Sequence, residues 1–436
     1  MPSRGSSGVR VAGSTLLAAA LITVVAHHAS VSTSVLAAQA PGALSARPNV
    51  LIILTDDQAD GTMNLMPKTS RIFRRHALGF DNAFVTTPLC CPSRASIFSG
   101  RYAHNHGVKG NGQGANFEPA RSWQRELQEE GYVTGLVGKY LNHWGERFGG
   151  GTPPYFDYWA PDTERNGSGR IDRRRFRAVQ SFLDERELAD DEPWALQWSI
   201  HAPHTPYDPP RRYARLPAGS YKRNPATRER DLSDKPKAIR RAARRVSEEE
   251  KQARWRGHVR TLRAADDLVK AMWRRLEDRG ERDDTLIIFM SDNGYSLGEH
   301  RIIAKGSPYA PVVGVPFYLI WKDRIEPGSS DAIVANIDIA PTIYDALEVE
   351  VDYEPDGQSV LDDSERRWLY MEGSANRPWA AYLDDRRHYI RWRRPRWVEL
   401  YDRELDPWQL DARRKAKPRI ARLLDEASTC EGAECP

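Results

Sequence analysis

Pro48-Asn49-Val50-Leu51-Ile52-Ile53-Leu54-Thr55-Asp56-Asp57-Gln58 is the stretch that decides the fold. Its five successive apolar residues show no alternation, so they read as a strand buried on both faces, as in a parallel sheet covered by helices. Similar runs recur at Val133–Val137, Ala195–Ile200, Leu286–Met290 and Val315–Trp321. Helical candidates lie between them at Ser122–Glu130, Asp172–Glu187 and about Glu248 to Asp278. Ser247 with Glu250 three residues on has the form of a capping box for the last of these. Leu262, Val269, Met272 and Leu276 give that helix one apolar face, which reads as core. Alternating strands and helices predict an α/β fold, a large and mostly parallel sheet sandwiched by helices.

After Leu361 the pattern changes. Trp368–Met371, Trp379–Leu383, His388–Trp392 and Trp397–Tyr401 are short, aromatic-rich and separated by charged turns. They predict a small antiparallel sheet, followed by a helix around Pro418–Ala427. The expected organisation is a catalytic α/β domain over 47–361, a small α+β subdomain over 362–428 and a tail over 429–436.

Several buried runs end in polar residues. Leu54 leads into Asp56 and Asp57, Met290 into Asp292 and Asn293, Val137 into Gly138-Lys139, and Ile200 into His201 and His204. Open α/β sheets bind ligands beyond the carboxyl ends of their strands. Asp56, Asp57, Asp292 and Asn293 offer only hard oxygen donors, which suit Ca²⁺ or Mg²⁺ better than zinc. An isolated Asp-Asp pair is commonly a turn or helix cap; two acidic pairs, each directly after a buried strand, favour a metal site.

Thr86-Thr87-Pro88-Leu89-Cys90-Cys91-Pro92-Ser93-Arg94 opens a further helix, with Pro92 expected at its first position. Cys90 then sits at a helix N-terminus, where backbone N–H groups favour an anion, and Arg94 adds a cation one turn in. Taken alone, the arrangement suits a low-pKa thiolate nucleophile or a buried structural thiol. Cys90 and Cys91 are adjacent and make a strained mutual bridge, whereas Cys430 and Cys435 are spaced to close a small loop.

Residues 1–40 read as a secretory signal peptide: Arg4 and Arg10, the apolar run Leu16–Val25, then Ala38-Gln39-Ala40. The run is short for a bilayer span, so a cleaved leader, export and no stable membrane span are expected. Loss of the two arginines in that leader takes the formal charge from +4 to +2, a weak global clue. Locally, residues 211–256 hold 16 Lys and Arg against 6 Asp and Glu. Such a run reads as a solvated face, or as one that steers a polyanion. Only Tyr213, Tyr221 and Trp255 fall within it, too sparse for the aromatic platform of a nucleic-acid groove, so nucleic acid is not an expected partner.

The Cys-x-Pro-Ser-Arg stretch at 90–94 resembles the signature of the formylglycine-dependent sulfatases, of the alkaline-phosphatase-like superfamily. The likeness runs in order along most of the chain. Pro48–Gln58 resembles the family's opening strand with paired metal aspartates, and Gly138-Lys139 its Gly-Lys element. Ala202-Pro203-His204-Thr205-Pro206 resembles its Pro-His element, and Ser291-Asp292-Asn293-Gly294 its second metal pair. Gly298-Glu299-His300 with Lys305 resembles its sulfate-binding lysine segment, and Glu399-Leu400-Tyr401-Asp402 with Asp406-Pro407 its C-terminal hairpin. The Cys-Cys form and Gly138-Lys139-Tyr140-Leu141-Asn142 look closest to the N-acetylglucosamine-6-sulfatase and extracellular heparan-sulfatase branch.

The resemblance implies a maturation enzyme that converts Cys90 to formylglycine (3-oxoalanine), and a divalent metal, Ca²⁺ or Mg²⁺, held by Asp56, Asp57, Asp292, Asn293 and residue 90. It implies that one hydroxyl of the hydrated aldehyde attacks sulfur, the substrate alcohol leaves, and the second hydroxyl loses its proton and expels sulfate. Arg94 stands where the family's arginine stabilises that residue. Lys139, His204 and Lys305 would bind sulfate, with Lys305 or His204 protonating the leaving oxygen. His201 is a candidate ligand or hydrogen-bonding neighbour, and His300 a further candidate contact. Three positions depart from the pattern. Many members carry His shortly after the Gly-Lys lysine, so Asn142 or His143 would take that place here. Ala310 stands where Glu is frequent, and Cys91 where Thr or Ser is. The expected function is a secreted sulfuric ester hydrolase acting on a sulfated carbohydrate or small molecule. A general arylsulfatase, a phosphodiester or phosphonate monoester hydrolase on the same fold, and an inactive glycan-binding protein are the alternatives.

Overall fold

The computed structural model of the chain describes residues 47–436 apart from 163–167, 188–191, 244, 363–365, 377 and 394–395. The expected leader, residues 1–40, lies outside the described residues. An eight-stranded sheet comprises β1 (Asn49–Asp56), β2 (Leu78–Phe84), β3 (Val133–Gly138), β4 (Tyr158–Pro161), β5 (Trp194–Pro203), β6 (Thr285–Ser291), β7 (Phe317–Ile320) and β8 (Gly328–Ala335). Their spatial order is β8-β2-β7-β6-β1-β5-β3-β4. β7 pairs antiparallel with β2 and β6, and the remaining pairs are parallel.

β1 lies inside the sheet, and its alternating side chains feed two cores. Val50, Ile52 and Leu54 pack with residues of α2 (Cys90–Ser99), α3 (Trp123–Glu129) and α6 (Ile339–Leu347). Leu51 and Ile53 pack with residues of α1 (Pro67–His76), α4 (Arg170–Glu187) and α5 (Glu248–Asp278). A strand covered on both faces has no polar side to present, hence its unbroken apolar run. Each such fully buried aliphatic side chain contributes about 1.5–3 kcal/mol. On α5, Leu262, Val269, Met272 and Leu276 are all buried, and Ser247 accepts the Glu250 N–H at 3.1 Å as its N-cap. α2 begins at Cys90, two residues before Pro92. A proline is tolerated there because N–H groups of the first helical turn have no intrahelical acceptor.

The C-terminal strands, Leu369–Glu372, Trp379–Leu383, Arg387–Trp392 and Trp397–Asp402, form a four-stranded antiparallel meander. The helix α7 (Pro418–Ala427) packs on it through Ile420 and Leu424. Buried Glu399 of the last strand accepts from Tyr309 Oη at 3.0 Å, and Trp379 Nε1 donates to Gly306 O at 3.0 Å. The meander thus braces the segment carrying Lys305. Cys430 and Cys435 form a disulfide. Among the described residues, no helix is long and apolar enough to cross a membrane.

Arg366 meets both carboxylate oxygens of Asp338, at 2.6 and 2.7 Å, and both side chains are buried. Removing one partner of such a pair strands a buried charge. Asp338→Ala is therefore expected to destabilise the fold by about 3–5 kcal/mol, read as a lowered denaturation midpoint.

Candidate active site

Register brings the site together. In β1–β6 pairing Thr55 lies opposite Ser291, so the residues that follow, Asp56-Asp57 and Asp292-Asn293, emerge side by side. In β1–β5 pairing Asp56 lies opposite Pro203, which sets His204 beside them. Lys139 leaves the end of β3 next to β5. A Cβ on Gly138 would lie 2.1 Å from Ser199 O, and its φ is +101°. Only glycine lets that strand end approach β5 so closely. Cys90 enters as the first residue of α2.

Ligand atoms of Asp56, Asp57, Cys90 and Asp292 all lie within 4.8 Å of one another, and all four residues are buried. Cys90 Sγ is 3.4 Å from Asp56 Oδ1 and receives Lys305 Nζ at 2.7 Å. Lys305 Nζ also donates to Asp57 Oδ1 at 2.6 Å, and Lys139 Nζ bonds Asp56 Oδ2. Arg94 is fully buried; its Nε donates to Asp292 Oδ2 at 2.9 Å and its Nη1 to Ser199 Oγ at 3.0 Å. His204 donates from Nδ1 to Thr205 O at 2.5 Å, and its Nε2 lies 3.8 Å from Asp57 Oδ2.

Three buried carboxylates face buried Arg94 and the partly buried Lys139 and Lys305, and the electrostatics follow from that. Burial opposes the charge on Asp56, but Lys139, His204, Arg94 and Lys305 outweigh it and hold its pKa well below the usual carboxylate range. Burial and the neighbouring Asp56 push Asp292 up. Burial, with Asp292 and Asp56 alongside, pushes the Cys90 thiol up despite Lys139 and Lys305.

The donor set fits a hard cation. Asn293 Nδ2 donates to Asp57 Oδ1 at 2.6 Å and to Gly294 O at 2.9 Å. Its Oδ1 is buried and has no hydrogen-bond partner among the described residues. A free amide oxygen beside three carboxylates matches the all-oxygen chemistry of Ca²⁺ or Mg²⁺.

The remaining sequence candidates are placed differently. His201 bonds Asp162 at 3.1 Å and meets the His204 ring edge-on at 5.1 Å. Its Nε2 is buried without a partner among the described residues. His300 is buried against Glu229, at 2.6 Å, and against the Tyr309 ring, within the support of the Lys305 segment. His143 is exposed and pairs with Glu146 at 2.7 Å. Asn142 is exposed, and its backbone N–H donates to Cys91 Sγ at 3.0 Å. Two side chains at the site carried no strand-end signal: Ser199, which lies within β5, and His258, on the buried face of α5.

Cys91 Sγ also donates to Asn111 O at 3.4 Å. A serine hydroxyl can both donate and accept in the same way. Cys91→Ser is expected to keep kcat/KM within about threefold, while Cys91→Ala leaves the Asn142 N–H without its sulfur acceptor, at a cost of about 0.5–1.5 kcal/mol. Parallel kinetics and thermal melts of the two variants check this.

The fold and site define an α/β protein with buried carboxylates, a cysteine and cationic side chains clustered at the strand ends. The sulfatase family model matches residues 48–349, and the chain belongs to the sulfatase family. It is 31% identical over 381 residues to the N-acetylglucosamine-6-sulfatase of Homo sapiens, covering 77% of this chain and 66% of that protein. It is 30% identical over 381 residues to the Drosophila melanogaster extracellular sulfatase SULF-1 homolog, covering 77% of this chain and 33% of the relative. The chain therefore spans about a third to two thirds of the length of these relatives. Two solved structures share the fold. One, described as in complex with its substrate D-glucosamine-2-N,6-O-disulfate, superposes with a TM-score of 0.70 at 21% identity, covering 87% of this chain and 97% of the other. The other, the phosphonate monoester hydrolase of Agrobacterium radiobacter, gives 0.69 at 20% identity, covering 87% and 93%.

Proposed function

We propose that the chain is a secreted sulfuric ester hydrolase that removes sulfate from a sulfated carbohydrate, using formylglycine made from Cys90 and a bound Ca²⁺. The observation that carries this is the clustering of Cys90 with Asp56, Asp57 and Asp292 while Lys305 reaches both Cys90 and Asp57. Asp56, Asp57, Asp292 and Asn293 would hold the cation, which would supply Lewis-acid polarisation of the ester oxygens and favour ionisation of a hydroxyl at position 90. Arg94 anchors Asp292 and faces Asp56 at 3.6 Å, keeping those oxygens oriented. Lys139 and Lys305 bind the sulfate oxygens. Lys305 or His204 protonates the leaving oxygen; His204, whose Nδ1–H is taken by Thr205, does so only as the imidazolium, with a second proton on Nε2. Export is supported by the Cys430–Cys435 disulfide, a bond typical of oxidising compartments, and by the extracellular relative.

The sulfated-carbohydrate reading is supported by the N-acetylglucosamine-6-sulfatase likeness. The basic run is a weaker support. Lys235 and Lys251 in it are buried and paired with Glu229 and Glu248, and Arg223 pairs with Glu299. Matched sulfate, phosphate and phosphonate monoesters, with a 6-O-sulfated glucosamine among them, test the function. Sulfate esters are expected to be turned over fastest, the sulfated sugar ahead of an aryl sulfate. Faster turnover of the phosphonate ester would overturn the reading.

A further inference from the structure

We propose that His258, backed by Tyr207, is a positioning residue that holds Asp57 in the backbone conformation the cation site requires. Asp57 has φ +70°, the left-handed region that non-glycine residues seldom occupy. Such a conformation is unfavourable and persists only where its surroundings enforce it. Here both backbone polar groups of Asp57 are held. Its N–H donates to Asp292 Oδ1 at 3.1 Å, and its carbonyl accepts from His258 Nε2 at 3.1 Å. With the proton on Nε2, Nδ1 is the acceptor, and Tyr207 Oη stands 3.5 Å from it.

The neighbouring residue shows what α5 gives up for this contact. Gly257 lies within that long helix, where glycine costs about 1 kcal/mol relative to alanine. A Cβ there would lie 2.1 Å from the Tyr207 ring. The glycine admits Tyr207, and the next residue carries the imidazole to Asp57. Tyr207 follows Pro206 in the segment that bears His204. The contact therefore joins α5 to both the Asp57 and the His204 sides of the site. Asp57 directs its carboxylate by its backbone, so loss of the His258 bond releases the turn that aims it. Partners that orient metal ligands in this way are worth 10–100-fold in affinity.

The inference rests on the cation reading of the site. Its test is calorimetric titration of CaCl₂ into the chelator-stripped full chain, comparing wild type, Asp57→Asn, His258→Gln and His258→Met. Gln and Met both fill the space of the imidazole, but only Gln can donate to the Asp57 carbonyl. His258→Met is expected to weaken calcium binding about tenfold or more, and His258→Gln to stay within about threefold of wild type. Equal affinities for these two variants would show that His258 only fills the core and would overturn the inference. Calcium binding that ignores Asp57→Asn would instead contradict the cation site itself.

Discussion

Cys90→Ala is expected to lower sulfate-ester turnover by at least about 10³-fold, with the melting temperature close to that of the unsubstituted chain. The side chain lies at the focus of the site: Lys305 Nζ is 2.7 Å from its Sγ, and Asp56 Oδ1 is 3.4 Å away. In the proposed mechanism its neighbours bind, orient or donate a proton, and residue 90 supplies the nucleophile. Its neighbour Cys91 is buried too, but its sulfur is committed to Asn111 and Asn142. Single-turnover kinetics on matched preparations of Cys90→Ala and Cys91→Ser separate the two cysteines. Comparable loss in both variants would mean that the nucleophile has been assigned to the wrong residue.

Asp57→Asn, or chelation of the metal, is expected to cost more than about 100-fold in kcat/KM, since even partners beyond the direct ligands are worth 10–100-fold. Added Ca²⁺ should restore the chelated protein and leave the variant inactive. The physical reason is charge. Asp56, Asp57 and Asp292 are buried together, and burial with Asp56 nearby already pushes Asp292 up. A divalent cation would relieve that repulsion and, in the proposed mechanism, would let Lys139 and Lys305 turn from the carboxylates to the sulfate. Elemental analysis alongside the kinetics checks the link. Full activity in metal-free protein would contradict it.

The parts of the fold readable in the sequence are those with one dominant physical cause. β1, β3, β5 and β6 are covered on both faces, so they appear as apolar runs, and their polar ends mark the site edge. β2 and β8 carried no such signal. Asp81 is exposed within Leu78–Phe84, and the first half of Gly328–Ala335, at the sheet edge, is polar and largely exposed. Edge and half-covered strands lose the pattern that identifies them. The metal-type carboxylates were legible for the same reason as the strands preceding them. The use of Cys90 was legible only through resemblance, because a cysteine at a helix N-terminus has several chemistries. His258 was not legible as a site residue, since at helical spacing a buried histidine looks like core. The basic run misled in part: Lys235 and Lys251 are internal ion-pair partners, which charge counting along the chain cannot distinguish from a solvated face.

Residue 90 is proposed to act as an aldehyde, and the decisive experiment is peptide mass spectrometry across Thr86–Arg94 of the purified protein. Active protein is expected to carry, at position 90, the mass of an aldehyde side chain in place of the thiol. The modified fraction is expected to rise in proportion to sulfatase activity when a formylglycine-generating enzyme is co-expressed. Full activity in protein whose Cys90 remains entirely an intact thiol would contradict the proposal.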